Sequence, residues 1–239
     1  QDWNWRGNDP NDRIVIFSGR RETQRFLMDR LAGDLGLKPE GVVAIDGAMQ
    51  DVLQNKVVEK FAQGKEAVRI LVATEVASEG LNLHYLCHRL VHFDIPWSLM
   101  TLQQRNGRID RYGQQQRPQI RYLLTKSSSE GMGDTEKILR LLIDKDLQAQ
   151  QNIGDPSVFL RAFDVEKEED EIGKAFEEND FISLEKRMDA NAEVYKQKSN
   201  ELNLFEEMFG IDADENNDIR EESKSRVEVK RQSPFSLFP

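Results

Sequence analysis

Residues 13–36, RIVIFSGRRETQRFLMDRLAGDLG, set the pattern from which the fold of this chain can be predicted. The run Ile14–Phe17 is short and apolar, as expected of a buried strand, and Ser18-Gly19 breaks it. From Glu22 to Leu35 apolar residues recur at helical spacing, and Gly36 then ends the helix. A buried strand followed directly by an amphipathic helix is the repeating unit of α/β proteins.

The same unit recurs along the first half of the chain. Each further strand is a short apolar run, and each helix between strands carries apolar residues at helical spacing. Ser98 is placed to cap the helix that follows Pro96. The predicted strands are Val42–Ile45, Val68–Ala73, Leu90–Ile95 and Ile120–Thr125, and the predicted helices are Asp51–Gln63 and Ser98 to about Tyr112. Nearly all-apolar strands separated by helices predict a parallel sheet with helices on both faces.

In parallel sheets of this kind, ligands bind beyond the carboxyl ends of the strands. Four segments of the chain follow predicted strands directly and are therefore candidates for a site. They are Ser18–Arg21, Asp46–Met49, Thr74–Asn82 and the helix after Pro96.

Charge divides the chain into two parts. Residues 1–126 carry 18 Lys and Arg against 15 Asp and Glu, and residues 127–239 carry 15 against 28, so the net charges of +3 and −13 sum to −10. The first part can face a polyanion, whereas the second would repel one. We expect a leader or linker at 1–12, an α/β lobe at 13–126, a helical acidic extension at 127–211 and a disordered tail at 212–239.

Within the extension the pattern predicts a helix at Thr135–Gln150 and one long or two short helices at Phe181–Phe209. The acidic run Glu166–Glu171 has two interpretations. It is either a solvated helix face or a segment that docks a partner by mimicking the charge of nucleic acid.

The single cysteine, Cys87, excludes a disulfide framework and fits a reducing cytoplasm. No apolar stretch approaches the roughly 18 residues of a membrane span. Together with Cys87, the residues His84, His88 and His92 have spacings that would suit zinc on a helix. A strand in this region would scatter these side chains to opposite faces, so we predict no metal site.

The strongest chemical signal is the stretch 104–114, QRNGRIDRYGQ. Arg105, Arg108 and Arg111 are spaced three residues apart, so a continuous helix would place them on one flank, with Gly107 leaving the backbone between them unobstructed. Guanidinium groups stay charged and offer planar pairs of donors that match phosphate oxygens. The alternative interpretation is a solvated basic helix face.

With three other segments, this stretch resembles the superfamily 2 helicases. Residues 104–111 resemble motif VI, residues 70–83 (ILVATEVASEGLNL) motif V, Val15–Ser18 motif IV, and Asp46–Met49 the segment that follows it. The four segments come in the family's order, and the resemblance extends over roughly Arg13–Thr125, about half of the chain. The endings GLNL of motif V and RYGQ of motif VI resemble SWI/SNF-type DNA translocases. Asp110 stands where eukaryotic remodellers commonly carry His and is more similar to the bacterial, RapA-like members.

The resemblance implies roles at the nucleotide. Arg108 and Arg111 would reach across a cleft between two lobes to the γ-phosphate as arginine fingers, and Gln104 would couple the nucleotide to the lobe interface. Further nucleotide contacts are implied for Glu79, Gly80, Asn82 and Gly107.

The resemblance also implies contacts to the DNA backbone, which position a strand without reading its sequence. Thr74 of motif V would bond a phosphate. The other implied contacts lie in the loop after motif IV, where a simple turn is nearly as good an explanation: Ser18, Gly19, Arg20 and Arg21.

The sequence contains no Gly-x-x-x-x-Gly-Lys-Ser/Thr phosphate loop and no metal-binding Asp-Glu quartet after a strand. We therefore expect a piece of a longer bacterial protein: the C-terminal RecA-like lobe of an ATP-dependent double-stranded DNA translocase. An N-terminal RecA-like lobe of the same protein would complete the ATP site and carry the Mg²⁺ ligands. Alone, this chain would bind neither cofactor tightly and would hydrolyse no ATP. The expected partners are that lobe, double-stranded DNA and a protein such as RNA polymerase, with no membrane.

Two other functions stay open at this point. A degenerate RecA-like lobe could serve as a scaffold that docks a protein through its acidic half, although such a scaffold gains nothing from Arg108 and Arg111. The lobe could also belong to an RNA helicase, but those enzymes usually have Asp at the position of Asn82.

Overall fold

A computed structural model describes residues 3, 5–74, 82–124, 135–150, 156–160 and 164–209, with side chains described as far as residue 200. The strands are β1 (Arg13–Phe17), β2 (Val42–Ile45), β3 (Ile70–Ala73), β4 (Cys87–His92) and β5 (Gln119–Tyr122). The helices are α1 (Arg21–Asp34), α2 (Asp51–Phe61), α3 (Leu99–Asn106), α4 (Thr135–Gln148), α5 (Val165–Glu177) and α6 (Phe181–Phe209).

The five strands form one sheet in the order β2-β3-β1-β4-β5, and every neighbouring pair is parallel. All five residues of the central strand β1 are buried. One face packs against Leu27 of α1 and against Trp3 and Trp5, and the other against Phe61 of α2 and against Ile109. The prediction of a parallel sheet with helices on both faces is confirmed.

Strand β4 starts earlier than predicted. The sequence pattern placed it at Leu90–Ile95, but the strand begins at Cys87 and ends at His92. Its first half is polar, and long-range contacts satisfy that polarity: Arg89 Nε donates to Asp12 Oδ1 at 2.7 Å, and Arg89 Nη1 donates to Gln119 Oε1 at 2.8 Å. Because both partners are distant in sequence, the local pattern concealed the start of the strand.

Helix α3 is capped as predicted but is shorter. The Ser98 hydroxyl accepts from the Thr101 amide at 3.1 Å, as an N-cap does. The helix ends at Asn106 and does not continue to Tyr112. The prediction that three arginines share one helical flank is therefore wrong, since only Arg105 lies on α3 and the other two lie in the turns that follow.

Helices α4, α5 and α6 pack with α3 around a separate core. Its buried members include Leu99 and Leu102 of α3 and Leu142 of α4, and the segment Phe181–Phe209 is one helix. Glu168 of α5 is fully buried and accepts from Ser98 Oγ at 2.5 Å, so the acidic run Glu166–Glu171 is not wholly a solvated face. Within the described ranges, no helix is both long and apolar enough to cross a bilayer.

Arg13, the first residue of β1, fixes the end of α2 to the sheet. Its guanidinium is fully buried and donates to four backbone carbonyls, of Pro10 (3.1 Å), Lys60 (2.9 Å), Phe61 (2.5 Å) and Gln63 (2.6 Å). Burial lowers the pKa of Arg13 to about 10, so the group stays charged at neutral pH. It satisfies carbonyls at the C-terminal end of α2 that have no partner within the helix.

Replacing Arg13 by Met keeps much of its volume and removes every donor. We expect Arg13→Met to lower the free energy of unfolding by about 2–4 kcal/mol, because buried carbonyls lose charged donors. Urea denaturation measures this loss. Arg25→Met, at an exposed position of α1, is the control and should change stability by less than about 0.5 kcal/mol. Equal losses in the two variants would contradict the assigned role.

Candidate nucleotide and nucleic-acid sites

The carboxyl ends of the strands meet at one edge of the sheet. Phe17 pairs with Ala73 and with His92, and Ile45 pairs with Ala73, so the residues that follow these strands lie side by side. The loops predicted after β1 and β2 are joined there by an ion pair between Arg21 Nη2 and Asp46 Oδ1 at 3.0 Å. An amide hydrogen bond from Ala48 and the Arg21 guanidinium lower the pKa of Asp46, which stays ionised.

The five predicted DNA-contact residues all lie at this edge, but they differ in exposure. Ser18 is fully buried and Thr74 is 5% exposed, so neither side chain presents much surface. Gly19, Arg20 and Arg21 are exposed. A strand of nucleic acid arriving at this edge would therefore meet the last three residues first, with Ser18 and Thr74 behind them.

Arg105, in the last turn of α3, lies buried at the same edge. Its side chain is 1% exposed, its guanidinium lies 5.7 Å from the centre of the Phe17 ring, and Nη1 donates to the Asp94 carbonyl at 3.1 Å. Both terminal nitrogens approach Asp94 Oδ1 at 3.4 Å. A buried guanidinium requires a partner of opposite charge, and Asp94 provides it.

His92 extends this network to the end of α3. Its Nε2 lies 2.9 Å from Asn106 Oδ1, its Nδ1 lies 3.4 Å from Arg105 Nη1, and its ring stacks on Tyr122 with centroids 4.6 Å apart. An oxygen facing Nε2 and a cation facing Nδ1 fit the neutral ring protonated at Nε2. Burial is the main cause that lowers the pKa of His92 to about 3. Arg105 and Asn106 thus hold the end of α3 against His92 of β4, whose ring in turn stacks on Tyr122 of β5.

Beyond Asn106 the chain turns back toward the segment that enters β4. The Leu83 amide donates to the Arg108 carbonyl at 3.3 Å, Ile109 is fully buried, and Gln114 Nε2 donates to the Cys87 carbonyl at 2.9 Å. Arg108 is half-buried and Arg111 is exposed. These two residues therefore do not share the carboxyl edge with Arg105. They lie beside residues 82–87, on the amino-terminal side of β4.

Two predicted nucleotide residues meet in this region. The Arg111 guanidinium donates to Asn82 Oδ1, and both residues are exposed. They are 29 positions apart in sequence and were assigned to motifs VI and V separately. Gln104 is exposed on α3, and a side chain at Gly107 would come within 3.2 Å of the Gln103 carbonyl. Glu79 and Gly80 lie outside the described residues.

Asp94, His92 and Asn106 were not predicted to belong to a site. Asp94 lay inside the predicted strand Leu90–Ile95 and so was not among the residues expected to follow a strand. Its charge within a mostly apolar run is the signal that could have identified it.

Among the side chains weighed as zinc ligands, the Cys87 thiol donates to the Arg89 carbonyl at 3.2 Å, and its burial raises its pKa to about 12. His88 Nδ1 lies 3.8 Å from Asp12 Oδ1. In the part of the chain that the structure describes, no three His, Cys, Asp or Glu side chains cluster as metal ligands do.

Comparison with known proteins agrees with this geometry. Residues 6–113 match the family described as the helicase conserved C-terminal domain. Residues 6–113 are a helicase C-terminal domain. The lobe is RecA-like.

The relatives of this helicase domain include bacterial proteins. The uncharacterized ATP-dependent helicase YqhH of Bacillus subtilis is 33% identical over 137 residues, which is 56% of this chain and 22% of the relative. The RNA polymerase-associated protein RapA of Vibrio campbellii is 28% identical over 122 residues, 51% of this chain and 12% of the relative. The chain thus spans less than a quarter of either protein. These similarities support the bacterial, RapA-like branch.

Among solved structures, the C-terminal part of the Fun30 ATPase domain superposes with a TM-score of 0.47 at 25% identity. The match covers 56% of this chain and 40% of that chain.

The buried neutral His92 predicts a specific loss of stability in mild acid. Its folded pKa of about 3 is below the unfolded value of 6.5, so the unfolded chain binds a proton first as pH falls. The contribution is complete above about pH 6.5 and is lost progressively toward pH 3. Between pH 7 and 5 we expect a loss of about 2 kcal/mol in urea denaturation, since each pKa unit corresponds to about 1.4 kcal/mol.

His92→Gln supplies the control for this pH effect. Glutamine does not titrate, so the variant should be less stable at pH 7 and should lose much less on going to pH 5. His88, whose pKa burial also lowers, contributes in the same direction and is retained in the variant. A variant with the same pH slope as the wild type would contradict the buried neutral state of His92.

Proposed function

We propose that this helicase domain is the second motor lobe of an ATP-dependent translocase that moves on double-stranded DNA. An N-terminal RecA-like lobe of the same protein would complete the ATP site. It would supply the phosphate loop and the Mg²⁺ ligands that this sequence lacks. The observation that best supports the proposal is the contact between Arg111 and Asn82. It assembles two residues implied to bind nucleotide, from two motifs, on an exposed surface.

The chemistry of this surface suits a phosphate group. Arg108 and Arg111 emerge from a turn that the buried Ile109 holds to the core, so their backbones are fixed before any ligand arrives. Asn82 holds the Arg111 guanidinium from one side and leaves other donors for phosphate oxygens. Positioned cations of this kind stabilise the charge that develops in phosphoryl transfer. ATP would then bind between the lobes and close the cleft, and its hydrolysis would reopen it.

The finger assignment predicts the activity of a double variant. In the full-length protein, Arg108→Ala with Arg111→Ala should reduce DNA-stimulated ATP hydrolysis by about 10³–10⁵-fold, because transition-state charge loses its partners. Affinity for DNA should be nearly unchanged, since the DNA edge is elsewhere. Arg117→Ala, an exposed arginine a few residues further on, is the matched control and should keep its rate. A double variant that retains the wild-type rate would falsify the assignment.

The nucleic-acid surface in this proposal is the exposed loop Gly19–Arg21 at the carboxyl edge. Two guanidiniums beside an exposed backbone amide can bind consecutive phosphates without reading bases. The ion pair of Arg21 with Asp46 is exposed, so it costs little to exchange for a phosphate. The charge balance of +3 over residues 1–126 permits this contact.

Salt dependence tests the nucleic-acid surface. Arg20→Ala with Arg21→Ala should weaken binding to a DNA duplex and lower the slope of log affinity against log salt by about 2, one for each lost phosphate contact. Fluorescence anisotropy over a salt series measures both. Arg30→Ala, at the far end of the same helix, should leave the slope unchanged. An unchanged slope in the double variant would show that DNA binds at another surface of the protein.

The same measurements separate this function from its alternatives. Preference for duplex RNA over DNA would favour an RNA helicase, and the absence of any nucleic-acid stimulation would favour a protein-docking scaffold. RNA polymerase is a candidate partner because the RapA relatives are RNA polymerase-associated. A cytoplasmic location stays a prediction from the single cysteine.

A further inference from the structure

Asp94, two residues past the end of β4, joins two elements through the two oxygens of one carboxylate. Its Oδ2 accepts from Ser18 Oγ at 2.9 Å and from the Gly19 amide at 2.7 Å. Its Oδ1 faces the Arg105 guanidinium at 3.4 Å. One oxygen of Asp94 therefore contacts the loop after β1, and the other contacts the end of α3.

The loop depends strongly on this carboxylate. Helix α1 begins after Arg20, whose side chain makes no capping hydrogen bond, so the helix start has no cap of its own. The bonds of Ser18 and Gly19 to Asp94 fix the backbone immediately before it. Arg20 and Arg21, the exposed cations of the proposed DNA surface, follow directly. Their position is therefore set in large part by Asp94.

The end of α3 depends on the same group. Arg105 is buried and needs the negative charge of Asp94, and the next residue, Asn106, bonds His92. Arg108 follows two residues later. The contacts of 3.4 Å between Arg105 and Asp94 are longer than the 2.7–2.9 Å usual for charged pairs, whereas the bond to Gly19 is short. The carboxylate can therefore shift toward Arg105 when its hold on the loop changes.

We propose that Asp94 is a positioning residue that couples DNA contact at Gly19–Arg21 to the placement of Arg108 and Arg111. A phosphate that binds the loop competes for the Gly19 amide and moves Asp94, and Arg105 carries that movement to the turn after α3. Coupling of this kind acts equally in both directions, so nucleotide would also change the affinity for DNA. The inference rests on the proposed function and adds the route between its two sites.

The test is Asp94→Asn in the full-length protein. The amide oxygen of asparagine can still accept from the loop, but the charge that holds Arg105 is gone. We expect the ratio of DNA-stimulated to basal ATP hydrolysis to fall by roughly 5-fold or more, the usual lower range of coupling between sites. The change in DNA affinity caused by a non-hydrolysable ATP analogue should shrink by a similar factor.

Asp189→Asn is the matched control, because it also removes a carboxylate from a buried cation. Asp189 Oδ1 of α6 pairs with Lys145 Nζ of α4 at 2.6 Å, in the helical extension and away from both proposed sites. We expect this variant to keep the wild-type ratio even where urea denaturation shows that it has lost stability. Equal losses of the ratio in the two variants would reduce Asp94 to a structural role and overturn the inference.

Two further outcomes are informative. A wild-type ratio in Asp94→Asn also overturns the coupling, whereas a wild-type protein without any DNA stimulation overturns the proposed function itself. If Asp94→Asn does not fold, Ser18→Ala removes one donor to Oδ2 and leaves the pair with Arg105 intact. A reduced ratio in Ser18→Ala supports the route, and an unchanged ratio contradicts it.

Discussion

The burial of one guanidinium organises the edge of this sheet. Arg105 is 1% exposed, so its charge must be matched inside the protein, and its guanidinium lies beside the ends of β1 and β4. Asp94 supplies the counter-charge and His92 stays neutral beside it. These partners fix the last turn of α3, and the turn carrying Arg108 starts from that point. The surface proposed to act on nucleotide is thus positioned by a residue that does not touch it.

Much of the fold could be predicted because local pattern and global position agree. The runs at Ile14–Phe17 and Val42–Ile45 are apolar because those strands are covered on both faces, so hydrophobicity alone locates them. The start of strand β4 could not be located in this way. Its polar residue Arg89 is largely buried because Asp12 and Gln119 of β5 satisfy its charge and donors, and both lie far away in sequence. The end of α3 was also predicted wrongly. Asn106 bonds His92 where the helix stops, and the next residue, Gly107, is a local stop signal that the prediction did not use.

The site could be predicted only in part, for a related reason. Guanidinium chemistry predicts that Arg108 and Arg111 are phosphate ligands, but the pattern could not reveal that Arg105 is separated from them. Asn82 reaches Arg111 because the segment entering β4 passes the turn after α3. That proximity follows from strand order, which spacing along the chain does not encode. The resemblance to helicase motifs supplied the connection that periodicity lacks.

Helix α3 is held at both ends by carboxylates from different parts of the chain. At its start, Glu168 of the acidic extension accepts from the Ser98 hydroxyl and from the Met100 amide, where the helix dipole favours a negative charge. At its end, Asp94 holds Arg105. Both ends of this helix are held by residues that lie outside it. The acidic extension therefore packs on a helix of the helicase domain, and part of its negative charge is used inside the protein.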